Sequence, residues 1–574
     1  MLYTDDSIAQ RIYTFLYRHR VLFLLLVGAL LYLSFLGLRE VWYPDEPDIA
    51  EVTRAMFDSG DWVSPRRMGE IWIDYPPMVY WIGVVSSHLF GGMSAFALRL
   101  PNAIGALATV LFTAAVVNAW FGRAAAFWAG FSLLTFMQFV YEGNSYRPDI
   151  MFTLSIAAGI FSYVAGSEAG KGLAMRALAF AFFGVAMLSK GPLGLLLPGL
   201  VLVIWLGLDR RWLRILELAP LSLISVAIFG LWFAANAEAM GWSKALYEFY
   251  AQNFERFATS ENRGHGQPWY YYLRNFWVDF LPWSWLFPAA VWWLYRNDRW
   301  EDRRIRIVAL WFFIFLVFLS LAATKRQLYF LPAYPAAAVL LGIWLADVCK
   351  PAAESPTGAA ALRNYAWIGT AALVILGGIV LWLSQNLDVL AAGRELNYQE
   401  MEIAANLPMP LVILGVCMIL GGAIIGVAWK KGGKSATPLA IGTAHVLLYV
   451  AILAFLLPTM EPVKTYKPQS AWISDAIDGE PRFGMVDKFG VGRRGGFAYY
   501  TRTAVDLLDG PQDTVDYLRE YPRTIVLVRA TQFDSDFGPT MQAGDLRLIG
   551  EVRVGSHPYV VVEPGWLDTG RPLP

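Results

Sequence analysis

The sequence predicts an all-α polytopic membrane protein of about 13 transmembrane helices, followed by a small soluble C-terminal α/β domain. Three observations predict it. Hydrophobic residues make up 57% of the 574-residue chain and charged residues only 16%, far more apolar than a soluble protein of this size. Apolar stretches near the roughly 20 residues that a helix needs to cross a bilayer recur as far as residue 457. Beyond that point the pattern shortens into strand-like runs at Thr524 to Val528 and Tyr559 to Val562, with a polar helical segment near Asp513 to Glu520. The chain therefore divides at 457, with a membrane domain over 1–457 and the second domain over 458–574.

The expected spans are 21–38, 101–121, 124–141, 148–166, 174–189, 191–208, 213–237, 276–296, 305–324, 328–348, 365–384, 410–429 and 437–457. The apolar stretch from Met78 to Phe90 is too short to cross and suits an interfacial or re-entrant helix. Arg11, Arg18 and Arg20 precede the first span, and no small-residue cleavage site follows it, so the N-terminus reads as an uncleaved anchor.

Charge balance is neutral overall, with 46 basic and 46 acidic residues, which gives no reason to expect a nucleic-acid partner. Its distribution is informative. A cytoplasmic N-terminus places Arg123, Lys171, Arg210, Arg211, Arg214, the 296–306 arginines, Lys350, Lys430, Lys431 and Lys434 on the cytoplasmic side, as the positive-inside bias requires. The long loops 39–100, 238–275 and 385–409 then lie outside, together with the C-terminal domain. Cys349 and Cys417 are the only cysteines, each in or beside an apolar stretch, so neither a disulfide framework nor a cysteine-based zinc site is supported.

Candidate chemistry gathers at the outer helix ends. Asp45 and Glu46 follow a membrane exit within about ten residues, a costly place for two carboxylates without a task. A carboxylate there can take or hold the proton of an attacking hydroxyl; equally, Asp45 and Asp48 can cap a short helix through Ile49 to Phe57. Arg54 can bind phosphate or pair with Glu51. Arg99, Arg147, Asp149, Lys190, Lys325 and Arg326 sit at outer helix ends, where the cations can neutralise a lipid-linked phosphate or simply snorkel. As a group they run against the positive-inside bias, which favours function. His265, one of five histidines in the chain, is a weak metal signal beside the aromatic run Trp269 to Tyr272.

The segment "DEPDIAEVTRAMFDSGDWVSPRRMGEIWIDYPPMVYW" resembles the first outer loop of the lipid A aminoarabinose transferases and their relatives in the dolichyl-phosphate-mannose protein mannosyltransferase superfamily. "RLPNAIGAL", "RPDIMFTLSIAAG", "LSKGPLGLLLPG" and "KRQLYFLPAYPAAAVLLG" are similar to later blocks in the same order, over roughly 340 residues. The resemblance implies the glycosyltransferase C fold in a bacterial inner membrane, with juxtamembrane helices in the first outer loop and a periplasmic C-terminal domain. It implies a donor sugar on undecaprenyl phosphate, used without a nucleotide, and a lipid or glycan acceptor at the outer face. It makes Asp45 catalytic, with Glu46 beside it and Asp149 as a further acidic residue, and puts Lys190, Lys325 and Tyr329 near the carrier phosphate. No cofactor is required by it; a divalent metal between Asp74 and His265 is an option that relatives suggest. One departure stands out, because Tyr75 occupies the position before Pro76 and Pro77 where aminoarabinose transferases carry lysine. That departure puts lipid A in question as the acceptor.

Two other classes fit many spans with charged helix ends: a lipid-linked substrate transporter or flippase, and a non-catalytic membrane assembly protein. Concentration of the suspicious residues at one face favours chemistry over transport.

Overall fold

The computed structural model describes residues 5–168, 172–258, 266–350, 356–391, 396–477, 479–487 and 493–567. It is a multi-pass helical protein. Among the described residues, eight helices are long and apolar enough to cross a membrane. A ninth forms if Arg11–Arg18 and Arg20–Tyr32, which meet at 81°, are joined. Met78–Leu89 and Leu193–Leu208 are apolar but shorter.

Two of the long helices are broken at glycine. Ala95–Thr135 carries Gly122 at φ 86°, and Pro408–Ala451 carries Gly433 at φ 54°, backbone conformations that a side chain disfavours. Each break falls between two of the expected spans. The expected single span 276–296 is different: Tyr271–Asp279 ends before Pro282, and a new helix, Phe287–Arg296, begins after a turn. Proline supplies no amide there, so the helical ladder stops.

Small residues let the helices approach. A Cβ on Gly342 would lie 2.5 Å from the backbone nitrogen of Ala129, so the Tyr334–Val348 helix touches Ala95–Thr135 backbone to backbone. Lipid offers no hydrophobic drive between helices, and close contact of this kind is what holds them.

After the last long helix the chain forms a five-stranded sheet in the order β4-β3-β5-β7-β6, from β3 (Arg482–Val486), β4 (Ala504–Leu507), β5 (Val526–Arg529), β6 (Leu546–Val554) and β7 (His557–Pro564). β3 runs parallel to β4 and β5, and β7 pairs antiparallel with β5 and β6. Both faces are covered. Ile473, Phe483, Phe497 and Tyr559 pack on one side, and Leu518, Val526, Val528 and Phe537 on the other. Runs such as Val560 to Val562 suit a strand buried on both faces.

The sheet unit grips the first long loop. Tyr43 donates its amide to the Lys464 carbonyl at 2.9 Å, the Val41 amide donates to the Tyr500 hydroxyl at 3.1 Å, and the Trp42 indole donates to Glu461 at 2.7 Å. The loop itself contains the two-stranded turn β1 (Arg66–Arg67) and β2 (Glu70–Ile71) and the helix Glu46–Ser59.

Candidate active site

Asp45 occupies the N-cap position of Glu46–Ser59, but its side chain does not cap the helix. Its carboxylate turns to two arginines from distant parts of the chain. Arg326 donates to Oδ1 at 3.1 Å and also contacts Oδ2, while Arg147 reaches Oδ2 at 2.9 Å. The turn that carries Arg147 is held by Asn102, whose amide donates to the carbonyls of Ser145 and Arg147 at 2.7 and 2.6 Å. Arg147 also donates to Glu142 at 2.9 Å.

Glu46, expected beside Asp45 as a second acidic site residue, is turned inward. It accepts from Arg99 at 2.9 and 2.5 Å, from Arg39 at 3.3 Å, and from the amides of Trp42 and Tyr146 at 2.9 and 2.8 Å. Burial alone would raise its pKa, but Arg99 and Arg39 outweigh burial and hold the carboxyl well below the usual range. Arg99 spends its remaining donors on the carbonyls of Leu36, Arg39 and Glu40 and is only 1% exposed, so it has no face left for a phosphate. This pair ties the membrane exit to the loop helix. Arg54 is likewise spent, on Glu51 at 2.7 and 2.8 Å and on Asp58 at 2.8 Å.

A cleft lies on the far side of Tyr75 from Asp45. Asp74, Tyr75, Lys190, Gln252, Asn253, Thr324 and Tyr329 give it polar walls, and Phe152, Leu197, Phe229, Trp232, Phe249 and Phe318 give it apolar ones. Lys190, at the C-terminal end of Gly172–Lys190, forms an ion pair with Asp149 Oδ1 and stands 4.5 Å from the centre of the Tyr329 ring. Asp149 Oδ2, Glu142 Oε2 and Arg147 Nε are buried without a hydrogen-bond partner among the described residues.

Tyr75 joins the cleft to Asp45. Its phenol lies within electrostatic reach of Asp74, Tyr329, Asp45 and Arg326; burial above all, and then these carboxylates, raise its pKa well above the usual value, so it stays a neutral donor. Lys325 is not part of this wall. Its ammonium donates to the carbonyls of Gln267, at 2.8 Å, and Ala322, clipping residues 266–267 to the end of Arg303–Leu321. Its neighbour Arg326, expected only as one of the cations at outer helix ends, is the residue that reaches Asp45.

Asp48 lies one turn along the same helix, 3.3 Å from Arg67 and against Gly495 of the sheet unit. Burial is the main force that pushes its carboxyl up to about 8; Arg67 opposes it, and Asp74 and Asp45 add to it. A carboxyl raised above its unfolded-state value binds its proton more tightly when folded, so stability falls as pH rises from about 4 towards 8. Asp48→Asn is therefore expected to raise the thermal unfolding temperature at pH 8 more than at pH 5. An equal shift at both values would show that the carboxyl ionises normally.

Asp74 stands on the cleft wall, but His265 falls outside the described residues. Among the described residues no group of three or more histidine, cysteine or acidic side chains is placed to hold a metal ion.

Known proteins resemble the chain over this architecture. Residues 74–233 match the dolichyl-phosphate-mannose-protein mannosyltransferase family. An undecaprenyl phosphate-alpha-4-amino-4-deoxy-L-arabinose arabinosyl transferase of Erwinia tasmaniensis is 30% identical over 489 residues, 83% of each chain. The chain belongs to that arabinosyl transferase family. A family member from Aeromonas salmonicida is 31% identical over 366 residues, 61% of this chain, and the match spans 64% of that relative's own length, slightly under two thirds. The fold of the family is seen in ArnT from Cupriavidus metallidurans in the apo state, at a TM-score of 0.73 and 20% identity over 95% of this chain and 98% of that one. The same protein bound to undecaprenyl phosphate superposes equally well, at a TM-score of 0.73 and 21% identity over 94% and 97%.

Proposed function

We propose that the protein is a membrane glycosyltransferase that moves a sugar from a polyprenyl phosphate, undecaprenyl phosphate in a bacterium, to a lipid or glycan acceptor. The observation that carries this reading is the junction at Lys190: a cation and a tyrosine ring sit on the wall of a cleft whose other walls are apolar, and Asp45 lies just beyond Tyr75. A phosphate on a long apolar chain needs that combination. The names of the relatives support the same donor class, and ArnT from Cupriavidus metallidurans, which shares the fold, has been seen bound to undecaprenyl phosphate.

In this reading the acceptor hydroxyl attacks the anomeric carbon of the donor sugar. The bond from that carbon to the phosphate oxygen breaks, the hydroxyl proton passes to Asp45, and polyprenyl phosphate leaves with the bonding electrons. Lys190, steadied by Asp149, faces the leaving phosphate and offsets its growing charge. Arg147 and Arg326 aim Asp45. Asp74 remains a cleft-wall carboxylate, and no step is assigned to a metal.

The same reading places 13 crossings, counting the two glycine-broken helices as two each and adding the joined pair Arg11–Arg18 and Arg20–Tyr32, the shorter apolar helix Leu193–Leu208 and the broken stretch around 276–296. The N-terminus is cytoplasmic, and the site and the sheet unit, as a separate soluble domain over 458–574, lie in the periplasm. Glu46, Arg54, Arg99 and Lys325 hold the scaffold in place of the catalytic and phosphate-binding roles expected for them.

The test is transfer by the purified protein in vesicles, supplied with polyprenyl-phosphate-linked sugars and a lipid extract as acceptor, with products followed by mass spectrometry. Lys190→Ala is expected to raise the donor KM and slow turnover by at least about tenfold, the effect of losing one charge-assisted phosphate contact. Lys190→Arg restores only part of it, because a planar fork cannot replace a compact ammonium here. Lys325→Ala is expected to lower thermal stability and leave the donor KM near the parent value. Equal donor dependence in the Lys190→Ala variant and the parent would remove the phosphate from this cleft.

A further inference from the structure

A second cleft, of about 440 Å³, lies where the sheet unit meets the first loop, and it shares no lining residue with the cleft beside Asp45. Four cationic side chains and one carboxylate, Glu40, line it. Arg39 is spent on Glu46 and the Asn144 carbonyl, and Arg54 on Glu51 and Asp58. Lys467 pairs with Glu40 at 2.5 Å but remains 59% exposed. Arg502 is the exception. It lines the cleft exposed, with no side-chain hydrogen bond or ion pair among the described residues.

Arg502 also stands where an arginine is out of place. It terminates the helix Arg494–Thr501 in the left-handed region, φ 57°, the position at which helices ordinarily use glycine. A side chain there strains the backbone, and among the described residues no hydrogen bond or ion pair of the guanidinium offsets that strain. The cleft itself supplies a use. Tyr499 and Tyr500 form its other wall from the same helix, and Phe96 and Met93 add an apolar edge. Leu38, Leu89 and Phe90, 51%, 75% and 54% exposed, surround the neighbouring helix ends, so the cleft opens at the level where the chain leaves the apolar layer.

We propose that this cleft binds the headgroup of an anionic phospholipid from the surrounding leaflet, with Arg502 and Lys467 on its phosphate and the acyl chains along Phe96 and Met93. A free phosphate would gain the cations but leave the apolar edge bare. Occupancy joins the sheet unit to the helix that carries Arg54 and begins at Asp45, so a lipid would fasten together two parts of the chain that otherwise meet only through protein contacts. The proposal is independent of the transfer reaction.

The test titrates detergent-solubilised full-length protein with dioctanoyl phosphatidylglycerol, dioctanoyl phosphatidylcholine and inorganic phosphate, with bound molecules counted by native mass spectrometry. Phosphatidylglycerol is expected to bind most tightly. Arg502→Gly is expected to weaken it roughly fivefold, and Arg502→Gly with Lys467→Gln about 25-fold, at about 1 kcal/mol per basic residue near a lipid headgroup. Glycine relieves the backbone strain, so the unfolding temperature of the single variant should stay level or rise as affinity falls. A lower unfolding temperature would make Arg502 a structural residue and overturn the proposal. So would unchanged affinity in the double variant, or phosphatidylcholine binding as tightly as phosphatidylglycerol. Inorganic phosphate binding as tightly as the lipid would overturn it too.

Discussion

Asp45→Asn is expected to slow transfer by about 100- to 10,000-fold while the protein still inserts and folds. Asparagine has the size of aspartate and keeps one oxygen that can accept from Arg326, so the local packing survives. It cannot take the proton of the acceptor hydroxyl. A helix-capping role, which asparagine would preserve, is already excluded because the Asp45 side chain makes no cap hydrogen bond. The change does remove the negative charge between Arg147 and Arg326, although Arg147 keeps Glu142. A stability loss of about 1–3 kcal/mol is therefore expected, and turnover must be compared at matched yield and below the unfolding range of both proteins. If the variant keeps more than roughly a tenth of parental turnover, a scale set by the contribution of a general base, Asp45 is not the base. Asp149, held by Lys190 on the other side of the cleft, would be the next residue to test.

Arg99→Ala is expected to act on the fold instead, costing about 3–5 kcal/mol, the usual effect of removing one partner of a buried ion pair. Five protein groups lose their donor at once: both oxygens of Glu46 and the carbonyls of Leu36, Arg39 and Glu40. Arg39 and two amides still reach Glu46, which limits the loss. The measurement is thermal unfolding in detergent together with the yield of inserted protein. The carboxylate also carries a pH signature. Its folded-state pKa is depressed, so its stabilisation is present above the ordinary 4.5 and is lost as pH falls below that value. A variant with unchanged stability and lost activity would return Arg99 to the list of phosphate ligands.

Residue type and hydropathy made much of this legible before any coordinates. The apolar runs marked the helices because lipid demands internally bonded segments, and the acidic residue after the first membrane exit marked Asp45. What hydropathy cannot carry is partnership. Asp45 meets arginines 102 and 281 positions away, and nothing in a one-dimensional pattern distinguishes Arg326, which reaches it, from Lys325, which turns back to Gln267 and Ala322. Glu46 and Asp45 are adjacent, yet the start of a helix sends them to opposite sides. Tyr75 departs from the family pattern, but its place between the cleft and Asp45 depends on Tyr329 and Arg326, which lie more than 250 positions away. The continuous 276–296 span failed for a simpler reason, since Pro282 was outvoted by the hydrophobicity around it.

The grip of the sheet unit on the first loop has a consequence in time. Tyr43, Trp42 and Asp48, which bracket Asp45, are fastened to Lys464, Glu461 and Gly495, residues made more than 400 positions later. Every side chain that lines the cleft beside Asp45 lies before residue 330, as do Arg99, Arg147 and Arg326, but part of the hold on the helix that follows Asp45 comes from residues 461–495. A chain stopped before residue 461 would thus carry every lining side chain of the cleft and the Arg99–Glu46 tie, yet lack the contacts that fasten Trp42, Tyr43 and Asp48 on either side of Asp45.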